Sequence, residues 1–271
     1  MIVLGIDTAT ESVSVAVVDG DDVLAASESR SDRRHAEDLT PMIDFVVRGS
    51  GVLLPEIDAI AVDVGPGLFT GMRVGIASAQ ALAHVLSVPL VGVDGLEALV
   101  AAAPDFSGDL VVPTIDARRR QVAWALHRVD ADGRSGSTPR RVTRPVIGPL
   151  DDLIAALRER SQSCVFVGDF AQRHRDDIAE SLGIVPWKYE FADTSAGGVD
   201  GFPHARHVAL IAHRRLVAID TAGEAVDFVG LDDVLSDASA RGSDPTHLAP
   251  SVAALYLREA DAEINWTTRA S

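Results

Sequence analysis

The chain has 271 residues, of which 47% are hydrophobic, and it carries a formal net charge of −16. This length can bury the core of one large domain or two small ones, and no apolar run is long enough to span a membrane, so we expect a soluble globular protein with no membrane partner. The acidity disfavours a protein that holds nucleic acid alone, because phosphate contacts need lysine and arginine. Residues 1–7 show no basic leader and Cys164 is the only cysteine, which favours a cytoplasmic location.

Residues 1–104 are predicted to form three strands followed by a helix, a strand, a helix, a strand and a helix. Apolar segments at 2–7, 12–18 and 23–29 are separated by short polar turns, which is typical of an antiparallel meander. The segment 36–47 then predicts an amphipathic helix, because its apolar residues recur at helical spacing. They are Leu39, Met42, Ile43, Val46 and Val47.

A second helix is predicted over residues 70–87, between strands at 57–64 and 89–93, and a third over 95–103. One stripe of the second helix is apolar and consists of Met72, Ile76, Ala79, Ala83 and Leu86. Its other face is small and largely uncharged. A helix with two smooth faces packs against its own sheet and commonly against something else.

Between the 57–64 strand and this helix lies Gly65-Pro66-Gly67-Leu68-Phe69-Thr70-Gly71-Met72-Arg73-Val74-Gly75. A strand, a glycine-rich turn and a helix can present free backbone N–H groups to an anion. We expect Thr70 to cap the helix, and Arg73 in its first turn needs an acidic partner, such as Asp7 or Asp63, or an anionic ligand. The turn lacks the Gly-Lys-Ser/Thr ending of a P-loop and the acidic ribose ligand of a dinucleotide site. The candidate nucleotide- or anion-binding residues are Asp7, Thr8, Thr10, Gly65, Gly67, Thr70, Gly71 and Arg73.

The second half repeats this order less cleanly, starting with a strand at 110–116 that again ends in an aspartate. The remaining predicted elements are strands at 121–128, 140–147, 164–168 and 184–186 and helices at 149–160, 169–182 and 203–219. A duplicated α/β fold follows. We predict domains at 1–104 and 105–219, an acidic surface segment at 220–250, and a tail at 251–271 that docks back on the body.

This duplicated order resembles the actin/Hsp70/sugar-kinase superfamily, whose domains are ribonuclease H-like. Four motifs together resemble the TsaB (YeaZ) family, and the glycine-rich turn is the most specific of them. The motifs are Ile6-Asp7-Thr8-Ala9-Thr10-Glu11, the stretch from Gly65 to Gly75, Ile115-Asp116-Ala117-Arg118 and Leu255-Tyr256-Leu257-Arg258. TsaB proteins are partners of TsaD in the cytoplasmic machinery that places threonylcarbamoyl on the adenosine beside the tRNA anticodon.

The resemblance implies a non-catalytic dimerisation subunit that binds and orders a TsaD-like protein. It further implies a TsaE-like ATPase as a second partner, a homodimer when the chain is alone, and tRNA contact only through the complex. TsaD-like proteins carry His-x-x-x-His on the helix that follows the 89–93 strand, and two histidines at that spacing can grip one metal. The matching positions here are Gly95 and Leu99, so we expect neither a bound metal nor a cofactor, with ATP or ADP and Mg²⁺ left open at a complex interface.

The resemblance also implies that the helices at 36–47 and 70–87 join the helices of a partner in a bundle. The residues predicted for that interface are Leu39, Met42, Ile43, Val46, Met72, Ile76, Ala79, Ala83 and Leu86. The alternative is that both helices only cover their own sheet, as most helices with apolar stripes do.

An enzyme is the alternative function: an ATP-dependent phosphotransferase or a metallohydrolase of the actin-like superfamily. Asp7 and Asp116, with nearby threonines, would then hold Mg²⁺ and phosphates across a cleft. The competing interpretation is that both aspartates form turns. The arginines at 118–120 and 140–144 are either a local tRNA contact or a solvated hairpin face.

Overall fold

The computed structural model describes residues 1–30, 34–103, 110–128, 140–192 and 201–222. Within these ranges no helix has the length and apolarity that crossing a bilayer requires. The predicted tail at 251–271 lies outside the described residues, and so does the segment at 220–250 apart from the last turn of a helix.

The first sheet has five strands in the order β3-β2-β1-β4-β5. β1 pairs antiparallel with β2 and parallel with β4, and β5 extends the parallel side. Three helices alternate with the last three of these strands along the chain. The elements are β1 (Ile2–Asp7), β2 (Ser12–Asp19), β3 (Asp22–Arg30), α1 (His35–Ser50), β4 (Ala59–Asp63), α2 (Phe69–Leu86), β5 (Leu90–Val93) and α3 (Gly95–Ala101).

The second sheet repeats this topology in the order β10-β7-β6-β11-β12, with a small ribbon attached to its central strand. Its elements are β6 (Leu110–Asp116), β7 (Val122–Trp124), β8 (His127–Arg128), β9 (Arg140–Arg141), β10 (Val146–Gly148), α4 (Leu150–Arg160), β11 (Cys164–Val167), α5 (Asp169–Arg173), α6 (Arg175–Leu182) and β12 (Tyr189–Phe191). In both sheets the first strand lies in the centre, between an antiparallel and a parallel neighbour. The predicted duplicated, actin-like α/β fold is confirmed.

Four local predictions for the second half differ from the structure. The strand expected over 121–128 is divided into β7 and β8, and the strand expected over 140–147 is divided into β9 and β10. The helix expected over 169–182 is interrupted at His174. The last strand lies at β12 and not at 184–186, because Pro186 cannot donate a ladder hydrogen bond whereas Tyr189 and Phe191 pack against the second core.

The final described helix, α7 (Ala205–Ala222), packs on the first sheet. Its first backbone N–H donates to Ser14 Oγ at 2.9 Å, and Arg215 donates to the Gly92 carbonyl at 2.9 Å. The sequence-based division placed this helix in the second domain, at the end of 105–219. The position of α7 in the sequence did not predict which sheet it packs on. Small residues on β1 and α7 let the two elements approach closely, and a pattern of apolar residues does not reveal this contact.

Gly5→Ala tests this placement of α7. A Cβ at Gly5 would overlap the Ala205 carbonyl oxygen and lie 2.9 Å from Ala209 Cβ. We expect the variant to lose about 1–3 kcal/mol of unfolding free energy, measured by urea denaturation. Gly49→Ala in α1 is the control, since its Cβ would meet only Ala25 Cβ at 3.8 Å. Equal stability of Gly5→Ala and the unaltered chain would contradict this packing.

Candidate functional site

The glycine-rich turn connects β4 to α2 and packs directly against the turn that follows β1. A Cβ at Gly67 would overlap the Ala9 carbonyl oxygen, and one at Gly71 would overlap the Thr8 carbonyl oxygen. Glycine is needed at both positions because two turns approach closely.

The donors and acceptors of the two turns satisfy each other. The Leu68 N–H donates to the Ala9 carbonyl at 2.6 Å, and Thr8 Oγ1 donates to the Gly71 carbonyl at 2.8 Å. The Gly65 N–H donates to Asp63 Oδ1 at 2.7 Å. Most of the space predicted for an anion is therefore filled by the chain itself.

Two predictions about the start of α2 differ from the structure. The N-cap is Leu68, which makes no side-chain capping bond, and Thr70 lies exposed within the first turn. Arg73 is also exposed, and its guanidinium lies over the Phe69 ring, 3.7 Å from the ring centroid. Arg73 thus makes a cation–π contact with Phe69, a partner that differs from the acidic side chain or anionic ligand expected from the sequence.

Thr10 contributes to the same corner through its backbone as well as its side chain. Its hydroxyl accepts from the Ser12 N–H at 3.3 Å, and its carbonyl lies 2.7 Å from Nε2 of His35, a buried residue at the start of α1. Thr10 thereby orders the turn after β1 and the entry of α1.

Asp7 and Asp63, at the ends of β1 and β4, form a buried carboxyl pair. Asp7 Oδ1 accepts from the Ala9 N–H at 2.9 Å, whereas Oδ2 of Asp7 and Oδ2 of Asp63 are buried with no hydrogen-bond partner among the described residues. Two ionised carboxylates can only accept, so a hydrogen bond between these neighbours requires that one of them holds a proton. Burial raises the pKa of Asp7 to about 7, and burial together with the Asp7 charge raises the pKa of Asp63 well above its ordinary value.

The metal site of the enzyme alternative finds little support in this geometry. Asp7 is buried beside Asp63 and accepts from the turn after β1, whereas Asp116 pairs with Arg173 at 3.2 Å. Among the described residues, no three His, Cys, Asp or Glu side chains are grouped so as to hold a metal ion.

A narrow cleft lies between the two domains, where β1 and β6 end. Its free volume is only about 10 Å³, no more than one water molecule needs, and its lining includes Glu11, Arg118 and Arg173. Ligand pockets for small molecules usually measure about 300–1,000 Å³. The cleft as it stands is smaller than a nucleotide site.

The helix α3 lies between the domains, and the sequence pattern did not reveal its polar contacts. Asp94 caps the helix and pairs with Arg141 at 2.6 Å, and Glu97 pairs with Arg215 at 2.5 Å. Asp94 and Arg141 are both largely buried. Arg141 therefore belongs to an ion pair, whereas Arg119 and Arg120 of the predicted basic patch are exposed.

The nine residues predicted for a partner interface lie against the chain's own sheet. All belong to the first core or pack against it, namely Leu39, Met42, Ile43, Val46, Met72, Ile76, Ala79, Ala83 and Leu86. The physical reason is that an apolar stripe marks the face that folding buries. The outward faces of α1 and α2 carry other residues, of which Phe45 is 68% and Val85 is 76% exposed.

A protein-family model matches part of this chain. The model described as TsaD, tRNA N6-adenosine threonylcarbamoyltransferase, matches residues 25–146. These residues include the glycine-rich turn and the positions of Gly95 and Leu99.

Curated relatives point in the same direction. The chain is 39% identical over 134 residues to the tRNA threonylcarbamoyladenosine biosynthesis protein TsaB of Escherichia coli, which covers 49% of this chain and 58% of that protein. It is 29% identical over 183 residues to the TsaB of Bacillus subtilis, covering 68% and 77%. The chain spans only 40% to 58% of the length of the first curated relatives that it matches, which are uncharacterised mycobacterial proteins.

A solved structure supports the fold. YeaZ from Pseudomonas aeruginosa superposes with a TM-score of 0.64 at 23% identity, and the match covers 94% of this chain and all of that one. At this identity the likeness shows that the two proteins share a fold.

Proposed function

We propose that the chain belongs to the TsaB (YeaZ) family, to whose curated members it is similar, and that it is a non-catalytic subunit in the cytoplasmic formation of threonylcarbamoyladenosine on tRNA. Its role is to bind and order a TsaD-like protein, which performs the transfer. tRNA contacts the complex and not this chain alone, and ATP or ADP with Mg²⁺ and a TsaE-like ATPase act at the level of the complex.

The strongest support for the non-catalytic role is the packing of α3. Gly95 and Leu99 stand where TsaD-like proteins carry their histidine pair. A Cβ at Gly95 would lie 2.7 Å from Asp63 Oδ2, and Leu99 is only 1% exposed. The backbone at Gly95 therefore leaves no room for a larger side chain beside the carboxyl pair, and Leu99 is committed to the core.

Exposed apolar residues on α1 and α2 support the proposed binding to a TsaD-like protein. Phe45 and Val85 are large apolar side chains that the folded chain leaves in water. Val85 shares one face of α2 with the small, exposed residues Ala77 and Ala81, which allow another helix to approach closely. An exposed apolar helix face of this kind marks protein contacts. We therefore assign the partner surface to these outward residues and not to the stripe that the sequence favoured.

Reconstitution tests this function. The purified chain, a TsaD-like protein and a TsaE-like ATPase from the same organism are mixed with tRNA and a threonylcarbamoyl donor, and modified adenosine is measured by mass spectrometry. We expect product only when both the chain and the TsaD-like protein are present. Full product formation without this chain would contradict the proposal.

The enzyme alternative is tested by ATP hydrolysis with the isolated chain. We expect no turnover above background. Turnover that Asp7→Ala removes would instead favour a phosphotransferase, because the carboxyl pair would then serve catalysis.

A further inference from the structure

Glu11 connects the two domains at the mouth of the cleft. It lies in the turn between β1 and β2, and its partners come from the second domain. Arg118 Nη2 donates to Glu11 Oε1, and Arg173 Nη2 donates to Glu11 Oε2 at 2.9 Å. One carboxylate thus bridges two guanidinium groups, each bonded to a different oxygen.

This arrangement is the one in which arginines commonly hold phosphate and other oxyanions. Although burial opposes it, the hydrogen bond from Arg118 and the charge of Arg173 lower the pKa of Glu11. Glu11 is therefore anionic throughout the neutral pH range, as an oxyanion ligand would be.

The turn that supplies Arg118 has an unusual backbone. Arg118, Arg119 and Arg120 have φ values of 64°, 54° and 60°, in the left-handed region that non-glycine residues avoid. The Arg118 N–H is fixed by Asp116 Oδ1 at 2.8 Å. Strained backbone that is held in this way is common where a side chain must be aimed at a particular point.

Arg173 has three further partners. It pairs with Asp116 at 3.2 Å and with Asp169 at 3.4 Å, and its guanidinium lies 5.6 Å from the centre of the Phe202 ring. Phe202 also faces Arg30 of β3, at 5.5 Å. The arginine is thus set in place before any ligand arrives.

We propose that Glu11 is a built-in oxyanion: it fills a site formed by Arg118 and Arg173 and thereby holds the two domains together across the cleft. In its absence the two arginines bind a small external oxyanion of the inorganic pyrophosphate class. The inference concerns the isolated chain and is independent of the proposed partner.

The first arm of the test measures the distance between the domains. Spin labels are placed on Ala81→Cys in α2 and Glu159→Cys in α4, two exposed positions, while the native Cys164 is buried. We expect a narrow distance distribution for the unaltered chain and a broader, longer one after Glu11→Ala. Glu11→Gln, which keeps the side-chain size, should give the same direction of change. Identical distributions would overturn the proposal.

The matched control removes an ion pair of the same kind that joins no domains. Asp44 and Arg48 pair at 2.8 Å on the exposed face of α1. Asp44→Ala should leave the distance distribution unchanged. A change as large as that of Glu11→Ala would also overturn the proposal, since any lost surface charge would then have the same effect.

The second arm measures inorganic pyrophosphate binding by calorimetry. We expect Glu11→Ala to bind pyrophosphate about tenfold more tightly than the unaltered chain does, because the guanidinium groups of Arg118 and Arg173 are then free to donate to it. Adding Arg173→Ala to that variant should remove the gain. No gain in Glu11→Ala, or a gain that survives the loss of Arg173, would show that no oxyanion site exists. Circular dichroism confirms that each variant is folded.

Discussion

Asp63→Asn is expected to make the chain more stable at pH 8 by roughly 1–3 kcal/mol, the usual cost of a buried polar group that lacks a hydrogen-bond partner. Asp63 lies fully buried against Asp7, and burial is the main cause that raises both pKa values. The asparagine Oδ1 can still accept from the Gly65 N–H, and its amide can donate to Asp7 without a shared proton. The variant therefore keeps the hydrogen bonds and removes one of two buried acids.

The pH dependence of stability follows from the direction of these shifts. Because the pKa of Asp7 is raised to about 7 in the folded chain, the folded state holds a proton that the unfolded state releases near its ordinary value of 3.8. The stability that the carboxyl pair provides is complete below that ordinary pKa and is lost as the pH rises through about 7. Urea denaturation at pH 5 and pH 8 should show a larger gain for Asp63→Asn at pH 8.

The control for this experiment is Asp44→Asn, which changes an exposed carboxylate. It should alter stability little at either pH, as surface ion pairs contribute at most about 1 kcal/mol. A gain from Asp63→Asn that is equal at both pH values would show that the pair holds no extra proton.

A single aspartate in place of Val85 is expected to weaken the complex with a TsaD-like protein by about a hundredfold or more. Val85 is 76% exposed in the folded chain, so the substitution costs the fold little, but in a complex it would bury an unpaired charge. Phe45→Asp in α1 should act in the same direction. Co-elution in size-exclusion chromatography and product formation in the reconstituted reaction report both effects.

Two control variants show whether the loss of binding belongs to this outward surface. Ile184→Asp places the same charge on a fully exposed side chain of the second domain and should leave the complex intact. Ile76→Asp, on the stripe that the sequence favoured, should unfold the chain, since Ile76 is 7% exposed in the first core. If Ile76→Asp folded but did not bind the TsaD-like protein, the interface would lie on the apolar stripe that the sequence favoured and not on the outward face.

Much of the fold could be predicted from the sequence, because strands and helices each produce a local pattern of apolar residues. Alternation and helical spacing located β1 to β5 and α1 to α3 within a few residues, and the aspartates after two first strands indicated the duplication. The same periodicity could not show which face of α1 and α2 meets a partner. A stripe such as Met72 and Ile76 reports burial, whichever surface does the burying.

The site was less predictable because its contacts join residues that are distant in the chain. The sequence singled out Asp7, Asp63 and Arg73 but could not show that the two acids are buried beside each other while Arg73 lies over the Phe69 ring. Glu11 and its two arginines are separated by more than a hundred residues. No local pattern marks such a bridge.

Calorimetric titration of the chain with a TsaD-like protein from the same organism measures whether the exposed face of α2 binds that partner. We expect saturable binding by the unaltered chain, the same binding by Ile184→Asp, and none that is measurable by Val85→Asp. Absence of binding by the unaltered chain, or undiminished binding by Val85→Asp, would rule out this partner surface.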